Sequence, residues 1–113
     1  MCVERATAVM KLHTYTLVSA DALRHYTTSF WPRHIQSLAR YGITVQGVWI
    51  DARADGHRVV ALVSYPPCSD PATLAEAYRC SGDFETDHAD FDISLITSAQ
   101  TETLEPIPSS PLQ

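Results

Sequence analysis

The sequence predicts an α+β domain in which a four-stranded antiparallel sheet carries its helices on one face, in the order βαββαβ. Three observations lead there. Four segments are rich in β-branched and aromatic residues, as strands are. The stretches after the first and third of them carry apolar residues at helical spacing. The second and third segments are joined by Asp55-Gly56, a hairpin signal, and not by a helix. The order fits one continuous unit or the two halves of a split βαβ pattern.

The elements follow in turn. Residues 9–18 (Val9-Met10-Lys11-Leu12-His13-Thr14-Tyr15-Thr16-Leu17-Val18) read as the first strand. Ser19-Ala20-Asp21 then supplies capping residues for a helix that runs to about Tyr41 and stops at Gly42, the C′ position. At about 100° per residue, Leu23, Tyr26, Phe30, Leu38 and Tyr41 share one face, and Pro32 lies roughly opposite, toward solvent. Residues 43–52 form the second strand, where Gly47 marks a bulge or a close backbone approach. Residues 57–65 form the third, ended by Pro66-Pro67. Asp70-Pro71 is an N-cap with proline at the first helical position, opening a helix to about Cys80 with Leu74, Ala77, Tyr78 and Ser81 inward. A further helical piece over 83–91 carries Phe84, His88 and Phe91 at i, i+4 and i+7. Residues 93–104 form the last strand, and prolines 106, 108 and 111 prevent its continuation. The domain is expected to span 9–105, with an extension over 1–8 and a Pro-rich tail over 106–113.

Helices on one face leave the other face of the sheet to be covered or solvated. The third strand is apolar on both alternations, Val59, Ala61 and Val63 against Val60 and Leu62. A partner sheet is the economical cover, and a homodimer is the expectation. A chain of 113 residues also buries only about two-thirds of its unfolded surface, so a second interface helps it.

With 8 basic and 13 acidic residues the net charge is −5, which lacks the basic footprint of a nucleic-acid binder. Arg24, Arg33 and Arg40 are scattered along one helix. No apolar stretch approaches the roughly 20 residues of a membrane span. Residues 1–8 carry Glu4 and Arg5 without an apolar core, so no signal peptide is expected. Cys2, Cys68 and Cys80 form no C-x-x-C pair, and their odd count points to reduced thiols and a cytoplasmic setting.

With these residues in place, the chain resembles the NIPSNAP family. The matching pieces are Leu12-His13-Thr14-Tyr15-Thr16-Leu17, the run from His34 to Arg40-Tyr41-Gly42-Ile43, Gly47-Val48-Trp49, Leu104-Glu105-Pro106 and Ser110-Pro111-Leu112. The likeness extends over roughly residues 11–112. It departs at His13, where that family commonly has arginine, so no role of that arginine transfers. The resemblance implies the ferredoxin-like, dimeric α/β-barrel fold. It implies little about chemistry, because that superfamily includes cofactor-free monooxygenases, cyclases, isomerases, haem-handling enzymes and proteins of unknown role.

Candidate catalytic residues are His34, His88, His13 and Tyr15. His34 lies near the middle of the first helix's apolar face, where imidazole serves either as a general acid/base or as a core residue satisfied by a carbonyl or carboxylate. His25 points the opposite way and reads as solvated. His13 and Tyr15, two apart, share one face of the first strand, toward the helices or toward a partner. His88 sits on the inner face of its helix between Phe84 and Phe91. Tyr26, Phe30, Trp31, Trp49 and Phe84 are the candidate substrate-binding residues, as donors or aromatic walls. The histidines lack metal-ligand spacing, so no metal and no cofactor is expected. The acidic run Asp83, Glu85, Asp87, Asp90, Asp92 has no calcium-loop pattern and reads as a solvated face. Two functions remain. One is a cofactor-independent enzyme acting on a small carbonyl-containing biosynthetic intermediate, of cyclase or isomerase type or a monooxygenase. The other is a non-catalytic ligand-binding or scaffold homodimer.

Overall fold

A computed structural model describes residues 9–53 and 56–112. The expected extension over 1–8 and Asp55 of the hairpin signal lie outside these residues. The strands are β1 (Val9–Leu17), β2 (Thr44–Ile50), β3 (Arg58–Tyr65) and β4 (Ile96–Leu104), in the spatial order β2-β3-β1-β4 with every neighbouring pair antiparallel. A long helix follows β1 as α1 (Ala20–His25), a π turn (Tyr26–Phe30) and α2 (Trp31–Ala39). Helices α3 (Pro71–Arg79) and α4 (Gly82–His88) and a 3-10 turn (Ile93–Leu95) lead into β4. This is the α+β, ferredoxin-like arrangement that the sequence predicts.

Local chemistry sets the element ends. Ser19, Asp70 and Ser81 each accept a hydrogen bond from a backbone N–H of the turn they open, satisfying a donor that the helix cannot. Gly42 has φ +79, the left-handed conformation that glycine adopts without steric cost. The register of β2 shifts between Val45 and Gly47, so the glycine does mark a bulge. A Cβ at Gly47 would lie 2.4 Å from the Trp49 ring, which shows that the indole rests on the bare backbone two residues back.

The π turn corrects the expected regular helix. Pro32 has no N–H to give, and its ring would strike the carbonyl four residues earlier, so a wider turn relieves the clash. The Trp31 N–H reaches back five residues to the Tyr26 carbonyl, while the Thr28 hydroxyl donates to the Arg24 carbonyl at 2.7 Å. On a regular wheel Trp31 lies about 140° from Tyr26. The extra residue brings it round, so Tyr26, Phe30, Trp31 and Leu38 are all buried while Pro32 stays exposed. Leu23 and Tyr41 are half-buried.

The core lies between the helices and one sheet face, where Val59, Ala61 and Val63 are buried beneath Tyr26, Phe30, Trp31 and Tyr78. Burying each large side chain contributes roughly 1.5–3 kcal/mol. On the other sheet face, Val60 and Leu62 keep partial exposure. Residues 105–112 return to line a groove with Met10, Leu62 and Leu104.

Three further expectations are corrected. Ala77 is exposed, whereas Ala75 faces inward. The acidic run is a solvated face only in part: Glu85, Asp90 and Asp92 are exposed, but Asp83 accepts from Arg40 at 2.8 Å and from the Tyr41 hydroxyl at 2.9 Å, Asp90 pairs with Arg33 at 3.0 Å, and Asp87 is 2% exposed. These contacts tie α4 and the segment after it to the helix ending at Ala39. Cys68, at φ +65 in the turn after β3, is disulfide-bonded, while Cys80 is a free exposed thiol. The expectation of reduced thiols therefore holds for Cys80 and not for Cys68. Among the described residues no helix is long and apolar enough to cross a membrane.

Candidate active site

A cavity of about 220 Å³ opens between the helices and the sheet. Strand register decides what β1 shows to it. Tyr15 pairs with Val59 and His13 with Ala61, and cross-strand partners share a face, so both side chains point toward the helices. The long helix adds Tyr26, Phe30, Trp31 and His34, and α4 adds Phe84 and His88. These eight of the nine residues singled out in the sequence line one cavity. Trp49 does not: it pairs with Val60, on the opposite sheet face, and is 54% exposed. Its expected place among the substrate-binding residues is therefore corrected.

His34 is the best-connected group in the cavity. Its Nδ1 lies 2.9 Å from the Tyr78 hydroxyl oxygen, and that hydroxyl donates to Asp87 Oδ2 at 2.6 Å. Ser37 donates to the other carboxylate oxygen at 2.9 Å, and His34 Nδ1 is itself 3.5 Å from Asp87. Because Tyr78 spends its one proton on Asp87, its oxygen accepts from His34 Nδ1–H. The proton on Nδ1 leaves Nε2 as the basic nitrogen, and Nε2 has no hydrogen-bond partner among the described residues. Burial pushes the imidazole down to about 4 against the opposing pull of Asp87, so it is neutral at pH 7. Phe30 and Trp31 pack on it at ring-centroid distances of 4.6 and 4.9 Å.

The other imidazoles are fixed differently. His88 Nδ1 donates to the Phe84 carbonyl at 2.8 Å, which again makes Nε2 the basic nitrogen, and its ring stacks on Phe84 with centroids 4.1 Å apart. His13 Nδ1 lies 2.9 Å from the Thr101 hydroxyl; burial, and then Lys11, lower its affinity for a proton. Both act on His34 through space. Among the described residues no three His, Cys, Asp or Glu side chains are placed to hold a metal ion.

Two phenols line the same cavity beside an indole. Tyr15, Tyr26 and Trp31 form a triangle of rings with centroids 6.1, 6.0 and 6.4 Å apart. Burial pushes Tyr15 up to about 12 and raises Tyr26 still further, so both phenols stay protonated at neutral pH. The Trp31 indole N–H lies against the Tyr26 oxygen and offsets a little of the effect of burial on it. A neutral base beside neutral donors, in a largely apolar cavity, is an arrangement for moving a proton while an oxygen gains charge.

Sequence reasoning missed Tyr78, Asp87 and Ser37 as parts of the site. The signal was present for Asp87, which stands three residues after Phe84 and four before Phe91, on the apolar face of α4. An acid at such a position needs buried donors.

No family model matches the sequence, and no curated protein matches it. The likeness is in the fold. A NIPSNAP family protein of unknown function from Agrobacterium tumefaciens superposes with a TM-score of 0.78 at 16% identity, covering 94% of each chain. A putative antibiotic biosynthesis monooxygenase from Nitrosomonas europaea gives 0.64 at 15% identity over the whole of both chains. A dimeric ferredoxin-like protein from an uncultured marine organism gives 0.62 at 14%, covering 95% of this chain and 99% of that one. The chain thus has the ferredoxin-like fold, and NIPSNAP proteins are among its structural neighbours.

Proposed function

We propose that the protein is an enzyme that moves a proton at the carbon next to a carbonyl, by side-chain acid–base chemistry on a small, largely apolar substrate. The observation carrying this reading is the Asp87–Tyr78–His34 chain, which leaves Nε2 as the basic nitrogen of a neutral imidazole lining a cavity shared with the Tyr15 and Tyr26 phenols. In the reaction, His34 Nε2 takes the α-proton. The C–H electron pair becomes the carbon–carbon π bond of an enolate, and the carbonyl π pair moves to oxygen, where Tyr26 or Tyr15 donates to it. Tyr78 and Asp87 stabilise the imidazolium formed. In a β,γ-unsaturated substrate the anion extends to the γ-carbon, and return of the proton from His34 to that carbon completes an isomerisation; attack of the enolate carbon on a second carbonyl, whose oxygen takes the proton back from His34, completes a cyclisation. The resemblance to a putative monooxygenase adds a third fate, capture of the same carbanion by dioxygen. At about 220 Å³ the cavity falls below the roughly 300–1,000 Å³ of drug-sized sites, so the substrate is small.

The same reading includes a homodimer, built on the sheet face that carries Leu12, Val60, Leu62 and Trp49. Light scattering on the eluted protein should give twice the chain mass, and a monomer at micromolar concentration removes this part. The chemistry is tested by proton exchange. 2-Tetralone, a bicyclic ketone with acidic α-protons, should exchange them in D₂O faster with the protein than in buffer. His34→Gln should lower the catalysed rate by roughly 10²–10⁴-fold. A ketone that binds yet exchanges at the buffer rate would leave the other reading, a non-catalytic ligand-binding domain. The packing of Phe30 and Trp31 on His34 would serve that role equally well.

A further inference from the structure

One end of the cavity is polar in a way that the proposed reaction does not use. On β3 the side chains of Val59, Ala61, Val63 and Tyr65 face the helices, and Tyr65 pairs with Val9, so it lies at the far end of β1 from Tyr15. Tyr65 is 5% exposed and lines the cavity. Its hydroxyl makes no hydrogen bond to another described residue, yet its oxygen is not sealed off as the Trp31 indole nitrogen is. Arg79, in the last turn of α3, lines the same cavity while its side chain is 56% exposed, which puts it at the opening. Its guanidinium is near enough to the Tyr65 phenol to offset part of the effect of burial on it. No carboxylate stands among the described residues that line the cavity, and Arg79 is the one lining side chain with a permanent charge. It does have a partner, Glu76, one turn back on α3. Both bonds to it, from Nε at 3.0 Å and Nη2 at 2.8 Å, go to the single oxygen Oε1, and Nη1 is left over. Both side chains are largely exposed, and such a pair is held weakly enough to be exchanged for another anion.

We propose that Arg79 and Tyr65 form a carboxylate-binding site at the mouth of the cavity, taking a small organic acid whose apolar body fills the cavity and whose carboxylate stays at the opening. A guanidinium meets a carboxylate in its own plane through parallel N–H bonds, and it keeps its charge at any pH at which the protein is folded. The Tyr65 phenol adds a neutral donor to the same anion. At the opening the carboxylate keeps part of its hydration, so placing it there costs far less than burying it beside His34. On binding, Arg79 gives up part of its hold on Glu76, whose like charge opposes the ligand. The inference deepens the proposed reaction and rests on that reading's placing of the substrate in this cavity. The substrate is then a keto acid, with its carbonyl in the aromatic part of the cavity beside His34 and its carboxylate at Arg79.

The test compares 3-phenylpropanoate with 3-phenylpropanamide, which differ in charge and little in shape. Titrated into the protein and followed in ¹H–¹⁵N NMR spectra, the acid should bind about tenfold more tightly than the amide, and added salt should weaken the acid alone. Arg79→Gln should weaken the acid by about tenfold, and Tyr65→Phe by about threefold, with the amide unchanged in both. Glu76→Gln should act in the opposite direction and tighten the acid, because it removes a competitor for the guanidinium and a like charge together. If Tyr65→Phe does not fold, the two exposed substitutions on α3 decide by themselves. Equal affinities for acid and amide, an acid affinity unmoved by Arg79→Gln, or weaker acid binding in Glu76→Gln would each overturn the proposal. Absence of acid binding at millimolar concentration would overturn it too. The readout needs no turnover, so the two readings fail separately. Acid binding that depends on Arg79, without catalysed exchange of 2-tetralone, would keep the site and remove the enzyme. Catalysed exchange with no preference for the acid would do the reverse.

Discussion

Acidification offers a direct trial of the neutral state assigned to His34. In the unfolded chain the imidazole takes a proton near pH 6.5, whereas in the folded protein it does so only near pH 4. Between those values the unfolded state binds a proton that the folded state refuses, so stability falls as the pH falls. Above pH 6.5 neither state is charged and the contribution is complete. Below pH 4 both are charged and the loss levels off. The shift from 6.5 to about 4 corresponds to about 3 kcal/mol. The side chain is 14% exposed, so solvent screening takes little of this away. Carboxylates and the other histidines also titrate in this window, and His34→Phe separates them: the surrounding rings of Phe30, Trp31 and Tyr78 accept another aromatic side chain. The assay is urea unfolding of both proteins at pH 7, 6, 5 and 4, with the free energy in water extrapolated at each. The difference between their stabilities should drift by about 3 kcal/mol across the series, with the natural chain losing more. A flat difference would refute a neutral buried imidazole. A drift of opposite sign would show His34 held as a cation against Asp87, leaving no base for the proposed reaction.

Other outcomes follow from the same contacts. Tyr78→Phe removes the hydroxyl between His34 and Asp87, so the imidazole meets the carboxylate directly; its pKa should rise above about 4 in an NMR titration, and an unmoved value would break the proposed chain. Asp87→Asn replaces an acceptor of two buried hydroxyl hydrogen bonds with a group that has one acceptor end. It should cost roughly 1–3 kcal/mol, read as a lower urea midpoint at unchanged slope. Gly47→Ala drives a methyl into the Trp49 ring, so its cost should shrink in a Trp49→Ala background. A double-mutant cycle should give a coupling of about 1 kcal/mol, and strict additivity would remove the contact.

Much of this architecture was legible in the residues because its signals are local. Asp70-Pro71 announced α3, Gly42 ended α2, and β-branched runs marked the strands. The candidate site was legible in part for the same reason: a strand's alternation puts His13 with Tyr15, and helical spacing puts His34 with Phe30. What escaped was decided by tertiary contacts. The face of β1 was open because both alternations of the sheet are apolar, and only its register with Val59 and Ala61 settles the matter. Asp87 was hidden in an acidic run of five; its spacing from Phe84 and Phe91 marks it as inward, but the hydroxyls of Tyr78 and Ser37 that receive it come from distant parts of the chain. Trp49 was misplaced because the bulge before Gly47 changes which side of the edge strand the following residues occupy.

The wide turn over Tyr26–Phe30 has a consequence for the length of the chain. Removing one residue from it, Thr28 being exposed, would leave Tyr26, Phe30, Trp31, His34 and Leu38 at spacings of 0, 3, 4, 7 and 11, the face of an unbroken α-helix. The turn therefore behaves as a single inserted residue looped outward, and the helices on either side already agree in phase without it. Deleting Thr28 should keep these residues in phase but return Pro32 to a regular helix at a cost of roughly 3 kcal/mol, whereas inserting one alanine after Thr28 should rotate α2 by about 100° and unseat Trp31 and His34 together. A pair of circular-dichroism melts separates the two cases. In alignments, relatives with a regular first helix should show a one-residue gap here, with the aromatic positions on both sides of it still in register.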